Sequence, residues 1–284
     1  MRRSLLFVSL ALVIPAVAPA QIHGAWSALV KGDRVQLNMT RAHSNWGRTL
    51  PRTEFALSDS IMNSATEEAV KFAMRRDAGT IDFTGTFQNG EGVGRFNFTP
   101  NTTYLETLKS LGAAAGSQID DEDLFSLAMQ DVSTAFIREM QSLGYREDLD
   151  QYIAFRIHGV SVDFVRELRA LGYDKLSADD LVAFRIHGVT ADFARQMKDF
   201  GVKDLSADQL VAMRIHGVSV DFVRELRDLG YTGLSSDDLV AMRIHGVTTR
   251  FIRELADAGY HGVPVDKLVE MRIHGIDAAM LKIH

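Results

Sequence analysis

Residues 176–202, LSADDLVAFRIHGVTADFARQMKDFGV, form one unit of a pattern that recurs along the chain. The signature Arg-Ile-His-Gly begins at positions 156, 185, 214, 243 and 272, so its copies are evenly spaced. An earlier, degenerate copy has Ala128-Met129-Gln130-Asp131 at the place of the signature. Self-similarity at a fixed period of this length predicts a solenoid, here of about six 29-residue units.

The first half of the unit carries the signals of one short helix. Ser177 is suited to the N-cap, and Asp180 stands at the position that completes a capping box. Gly188 follows the last apolar residue and predicts a helix end in the left-handed conformation. The pattern also predicts a buried apolar stripe, formed by Leu181, Val182, Phe184 and Ile186.

The second half of the unit predicts a second short helix. Thr190 is suited to cap it and Gly201 to end it, with Phe193, Met197 and Phe200 on its apolar face. Helices of about ten residues are too short to be stable alone in water. They must therefore bury their apolar faces against neighbouring units, and we expect residues 102–284 to form one α-solenoid.

Residues 21–101 have the period of two that is typical of half-buried strands. Turn sequences at 31–33, 77–79 and 88–90 separate the runs and predict an antiparallel β meander of five or six strands. Gly85, Gly92 and Gly94 lie inside the runs, where glycine indicates strong curvature or a gap filled by an aromatic ring. The expected fold class is α+β: a curled sheet or half-barrel, then the solenoid. The apolar alternation is carried by Val35, Leu37, Met39, Val70, Phe72, Met74, Ile81, Phe83, Phe87, Phe96 and Phe98.

The first twenty residues, MRRSLLFVSLALVIPAVAPA, resemble a secretory signal peptide. Two arginines precede a short apolar run, and Ala18-Pro19-Ala20 is typical of a cleavage site. The apolar run is shorter than the roughly 20 residues of a membrane span. We therefore predict a periplasmic or secreted protein whose mature chain has no membrane span.

Composition excludes several classes of function. The chain has 284 residues and no cysteine, so disulfides, thiol catalysis and cysteine-ligated zinc are excluded. Its formal net charge of -6 argues against a nucleic-acid partner. Sequence motifs of zinc peptidases, serine hydrolases and P-loop enzymes are absent. We expect no enzymatic activity and no cofactor.

The repeated signature invites a functional interpretation of its histidines and arginines. A histidine ladder suggests metal, but helix neighbours about 8–10 Å apart hold equivalent histidines too far from one another to share a zinc ion. The alternative for the histidines is a structural role at the helix end, where the ring bonds free carbonyls or complements the helix dipole. The alternative for the arginines is a solvated face with helical ion pairs, in which they also hold neighbouring turns together. Together the two ladders are the candidate binding face: Arg156, His158, Arg185, His187, Arg214, His216, Arg243, His245, Arg272 and His274.

Two other functions remain open from the sequence. The curled sheet could bind a small ligand in a pocket lined by Trp26, Trp46 and phenylalanines such as Phe83 and Phe96. An enzyme with an unrecognised site is the other alternative. The sequence also leaves open whether the chain forms a homo-oligomer.

The phrase RRDAGTIDFTGTFQNGEGVGRFNFTP at 75–100, then YLETLKSLG at 104–112 and the RIHGV repeats, resembles a region associated with bacterial membrane zinc metallopeptidases of the beta-lactam-receptor (BlaR) type. The peptidase motif and the membrane helices of that family are missing here. The resemblance thus implies a stand-alone periplasmic relative of a sensor or interaction region. The expected function is a non-enzymatic periplasmic or secreted module that binds a protein or peptide, such as an envelope sensor or a regulatory subunit.

Overall fold

A computed structural model describes residues 22–41, 44–114 and 118–281, and the predicted signal peptide lies outside them. The described chain divides into two compact units. The first holds the described residues up to 106 together with 118–131, and the second holds 107–114 and 132–281. This division differs from the predicted boundary at residue 101, because one helix of the repeat region packs on the sheet. No described helix is long and apolar enough to cross a membrane.

The first unit contains a six-stranded antiparallel sheet, which confirms the predicted fold class. Its spatial order is β3-β2-β1-β6-β5-β4, so two three-stranded meanders join where β1 pairs with β6. The sheet is curled and is not closed into a barrel. The strands are β1 (Ile22–Lys31), β2 (Arg34–Arg41), β3 (Ser44–Pro51), β4 (Glu68–Arg76), β5 (Gly79–Gln88) and β6 (Glu91–Pro100).

One face of the sheet forms the core of this unit, as the alternation predicted. A short 3-10 helix (Arg52–Glu54) and α1 (Asp59–Met62) connect β3 to β4, and α3 (Asp121–Gln130) packs on β1, β5 and β6. The ring of Phe125 in α3 lies 5.0–5.6 Å from the rings of Trp46, Phe96 and Phe98. These contacts explain why α3 belongs to the sheet unit.

Gly92 shows why glycines occur inside the strands. A Cβ atom at this position would lie 2.6 Å from Cζ of Phe87, whose ring covers the glycine. The aromatic filling of a glycine gap was predicted and is confirmed here.

The rest of the described chain is helical. Six first helices alternate with six second helices over these residues, as the repeat predicted. The first helices are α3, α5 (Leu149–His158), α7 (Ala178–Ile186), α9 (Ala207–Ile215), α11 (Ser236–Ile244) and α13 (Val265–Ile273). The second helices are α4 (Thr134–Ser142), α6 (Val162–Ala170), α8 (Ala191–Asp199), α10 (Val220–Asp228), α12 (Thr249–Asp257) and α14 (Ala278–Leu281), and α2 (Thr102–Ser110) precedes them all.

Local capping sets the bounds of these helices. Ser177 and Asp180 form the predicted capping box, and Thr190 caps α8. Gly188 has φ +70°, the left-handed conformation that ends a helix. Asp131 takes that conformation with φ +53° at the end of α3, which confirms the degenerate copy. The second helices α4 to α12 end in Schellman motifs, as shown for α6 by the bond from the Tyr173 amide to the Leu168 carbonyl.

In the second unit the helices form two rows. Each first helix from α5 to α13 contacts the first helix of the next repeat, and each second helix from α4 to α14 contacts the next second helix. The outer face of each row therefore shows the same chemical pattern once per repeat.

A tyrosine hydroxyl connects neighbouring repeats. Tyr145, Tyr173 and Tyr231 donate to backbone carbonyls 31 or 32 residues further along, at 2.7–3.0 Å. Burial raises the pKa of all three phenols. At the equivalent position 202 the chain has valine, and a parallel bridge between Lys203 and Ser235 makes the connection instead.

Candidate interaction surface

The isoleucine of each Arg-Ile-His-Gly signature lies on the outer face of the first-helix row. These side chains are 54–58% exposed, so the prediction that Ile186 belongs to the buried stripe is wrong. Leu181 and Phe184 of the same helix are fully buried, as predicted. The helical period explains the difference, since Ile186 lies beyond the arc that faces the second helices. The exposed isoleucines are Ile157, Ile186, Ile215, Ile244 and Ile273.

Other apolar side chains extend this surface on each helix. A half-buried isoleucine or valine precedes the exposed isoleucine by four residues, which puts both on the same helix face. In four of the five helices an alanine directly follows this half-buried residue in the sequence. We call this surface the isoleucine strip: the five exposed isoleucines with Ile153, Val182, Val211, Val240 and Val269.

An acidic row borders the strip. Each of the five helices has an exposed aspartate seven residues before its exposed isoleucine, on the same face and in the first turn. Asp237 accepts a hydrogen bond from Gln209 at 3.0 Å. The other four carboxylates have no hydrogen bond or ion pair with another described side chain. The aspartate row consists of Asp150, Asp179, Asp208, Asp237 and Asp266.

The arginines of the signature connect repeats. The Arg185 guanidinium lies over the ring of Phe164 in the preceding second helix, 5.1 Å from the ring centroid. Its Nε also donates to the His158 carbonyl at 3.4 Å, a long hydrogen bond at a helix end. The stacking recurs at 5.1–5.3 Å for Arg156 on Phe136, Arg214 on Phe193, Arg243 on Phe222 and Arg272 on Phe251.

The histidines of the signature are exposed and lie in the last turn or at the C-cap, as predicted. The expected bond from the ring to a free carbonyl is not formed: within the described residues none of the five imidazoles has a hydrogen-bond partner. Arg185 occupies the His158 carbonyl instead. Over the same part of the chain no group of three or more metal-ligating side chains is present. The five histidines are His158, His187, His216, His245 and His274.

The outer face of the second-helix row differs from the isoleucine strip because its charges pair with one another. Arg195 bonds Asp192 within one helix, and Arg253 reaches Glu225 of the preceding repeat at 3.0 Å. Hydrogen bonds from Thr249 and Arg253 lower the pKa of the Glu225 carboxyl. Exposed pairs of this kind add little stability, and they leave a solvated, charge-balanced face.

Three of the aromatic residues expected to line a ligand pocket in the sheet fill the core instead, and the half-buried Trp46 packs on Phe125 with ring centroids 5.0 Å apart. Trp26, Phe83 and Phe96 are at most 2% exposed. The rings of Phe72 and Phe83 stack at 4.6 Å, and Trp26 meets both of them edge-on. The Trp26 indole nitrogen donates to the Thr84 carbonyl at 3.1 Å. These residues are therefore committed to packing.

The first unit also has an open cleft of about 460 Å³ beside Gly32 and Phe55. Its cationic side chain, Arg52, is paired with Asp59 at 2.9 Å and donates to the Gly32 carbonyl at 3.1 Å. The positive charge at the cleft is therefore already neutralised by the protein itself.

A comparison with protein family models, curated proteins and solved structures finds no match to this chain. The resemblance to the BlaR-type region thus stays a prediction. The function must be inferred from the surface itself, and the isoleucine strip with its aspartate row is the feature that packing within the described chain does not explain.

Proposed function

We propose that this protein is a non-enzymatic interaction module that binds another protein along the first-helix row. The isoleucine strip is the observation that carries the proposal. Five isoleucines more than half exposed, at one position of five adjacent helices, form a row of apolar side chains in water. Exposed apolar patches of this kind mark binding sites for proteins, membranes or ligands, whereas scattered exposed residues need no explanation.

The size of the strip is adequate for specific binding. Full burial of an isoleucine contributes about 1.5–3 kcal/mol, so covering a half-exposed one contributes about 1 kcal/mol. Five of them would contribute about 5 kcal/mol before the cost of ordering the partner is subtracted. A repeat array is well suited to such binding, because identical contacts add along an extended surface.

The proposal places the protein outside the cytoplasm. The leader-like residues 1–20 and the resemblance to an envelope-facing region support this location. A role as an envelope sensor or a regulatory subunit fits a module with a long binding face. Within the described residues we find no convergent acid, base and nucleophile that would favour an enzyme instead.

The test is affinity capture from an envelope extract, followed by binding measurements with the purified partner. The triple variant I186S/I215S/I244S should lose the partner. The control variant D163S/D192S/D221S changes three exposed second-helix positions, likewise one per repeat, and should retain it. Equal binding by both variants would refute the proposal. Circular dichroism should show an unchanged helix content for each.

A further inference from the structure

The dimensions of the isoleucine strip indicate the shape of its partner. On each first helix the aspartate precedes the exposed isoleucine by seven residues, which corresponds to about 10 Å along the axis. An α-helix with its side chains is about 10–12 Å across, whereas an extended strand occupies about 5 Å. A helix laid across the row would therefore cover the strip from the isoleucines to the aspartate row.

The spacing of the first helices also fits a helical partner. Packed helices lie about 8–10 Å apart, and seven residues of a partner helix rise about 10.5 Å. A helix with an apolar seam of heptad type would thus meet about one exposed isoleucine per heptad. Four steps, from Ile157 to Ile273, span about 32–40 Å, which corresponds to about 21–27 helical residues.

Backbone hydrogen bonding favours a helical partner over an extended one. The strip consists of apolar side chains on helices whose amides and carbonyls bond within each helix, so it offers no row of amide side chains or free backbone groups. An extended chain buried on it would leave its own backbone groups unpaired, which costs free energy. A helix satisfies its backbone internally and presents only side chains.

The charges on the strip's borders determine the charge of the partner. Four of the five aspartates in the row have no described side-chain partner, whereas the five signature arginines stack on phenylalanine rings. The linkers before α5, α7 and α9 carry Arg146, Lys175 and Lys203, and the signature arginines and exposed histidines lie at the C-terminal ends of the first helices. At the opposite border, the exposed first-turn position common to all five helices is acidic. A partner with lysine or arginine along one flank complements this row.

From these observations we infer that the partner segment is an amphipathic α-helix of about 21–27 residues, with an apolar seam and a cationic flank, lying across the first helices α5 to α13. This inference rests on the proposed function and specifies the chemistry of the partner.

The experiment uses the full chain and three labelled synthetic peptides of about 24 residues, the middle of that length range. The first is helical, with leucine at the seam and lysine on one flank; the second replaces the lysines by glutamate; the third has two central prolines that prevent a helix. Fluorescence anisotropy measures the affinity of each peptide. We expect the lysine peptide to bind at least tenfold more tightly than the other two.

Protein variants test where the lysine peptide binds. I186S/I215S/I244S should weaken its binding at least tenfold. D150N/D179N/D208N should weaken it several-fold and reduce its dependence on salt. The control D163N/D192N/D221N makes the same change in charge at the same spacing on the second helices and should bind as the original protein does.

The outcomes separate this inference from the proposed function. Equal or tighter binding of the proline peptide overturns the helical partner, and equal binding of the glutamate peptide overturns the cationic flank. If D163N/D192N/D221N weakens binding of the lysine peptide as much as D150N/D179N/D208N does, the peptide does not bind beside the aspartate row, and the proposed location is overturned. In each case the proposed function stands if I186S/I215S/I244S still loses its natural partner from the extract.

Discussion

The guanidinium of Arg214 lies over the ring of Phe193, 5.1 Å from its centroid, and so joins the first helix of one repeat to the second helix of the repeat before it. The same contact occurs at all five signature arginines. Because each arginine connects two repeats, the ladder that looked in sequence like a binding face has a structural role along the array.

Replacing Arg214 by methionine should destabilise the array by about 0.5–1 kcal/mol, the range for a cation–π contact at an exposed site. Urea unfolding, monitored by circular dichroism, measures this loss of stability. Arg195→Met is the matched control, since Arg195 makes only an exposed pair with Asp192 in its own helix. A larger loss for Arg195→Met would contradict the structural role of Arg214.

Replacing Gly217 by alanine should cost about 1–2 kcal/mol, because its φ of +72° is unfavourable for a residue with a side chain. Gly217→Asn should cost less, since asparagine tolerates this conformation. Thermal unfolding of the two variants shows whether Gly217→Asn is the more stable, as expected. Equal stability of Gly217→Ala and the original protein would show that the helix does not end there in the left-handed conformation.

Replacing Tyr231 by phenylalanine should cost about 1 kcal/mol, because it removes the hydrogen bond to the Val263 carbonyl. Tyr260→Phe is the control: Tyr260 is 46% exposed, and its hydroxyl has no partner among the described residues. Urea unfolding at neutral pH measures both changes, and an equal loss for the two variants would contradict the role of the hydroxyl.

The same tyrosines predict a dependence on pH. Burial raises the pKa of Tyr231, so the unfolded chain releases this proton at a lower pH than the folded protein does. The stabilisation is complete below the ordinary tyrosine pKa of about 10 and is lost as the pH rises through the folded pKa. Stability should therefore fall less steeply above about pH 10 in Y145F/Y173F/Y231F than in the original protein.

Ile215 and Met213 provide a test of which side of the first helix is exposed. Ile215→Ser should change the free energy of unfolding by less than about 0.5 kcal/mol, as surface changes usually do. Met213→Ala should cost about 2–5 kcal/mol, because Met213 is fully buried. A loss of several kcal/mol for Ile215→Ser would show that the isoleucine strip is covered within the protein itself.

Phe83→Ala should unfold or strongly weaken the sheet unit, at a cost of about 3–5 kcal/mol, since Phe83 has no exposed surface. Loss of the near-ultraviolet circular dichroism of the buried aromatic residues would report this. A variant that remains as stable as the original protein would reopen the interpretation of these rings as the lining of a ligand pocket.

The local features of this protein follow directly from its amino-acid sequence. Ser177 and Thr190 cap helices and Gly188 ends one because each residue acts on backbone groups a few positions away. The constant spacing of the signature predicted six helix pairs, and the alternation around Val35 and Phe72 predicted the strands. Local hydrogen bonding and periodicity suffice for features of this kind.

Which apolar and charged residues remain available to a partner depends on the packing of the repeats against one another. Ile186 and Phe184 read alike in the sequence, yet one is 55% exposed and the other is fully buried. Arg185 was a candidate for the binding face, yet its guanidinium stacks on the Phe164 ring of the preceding repeat. Availability depends on which neighbour each side chain meets, and that neighbour comes from another repeat whose position a local pattern does not contain.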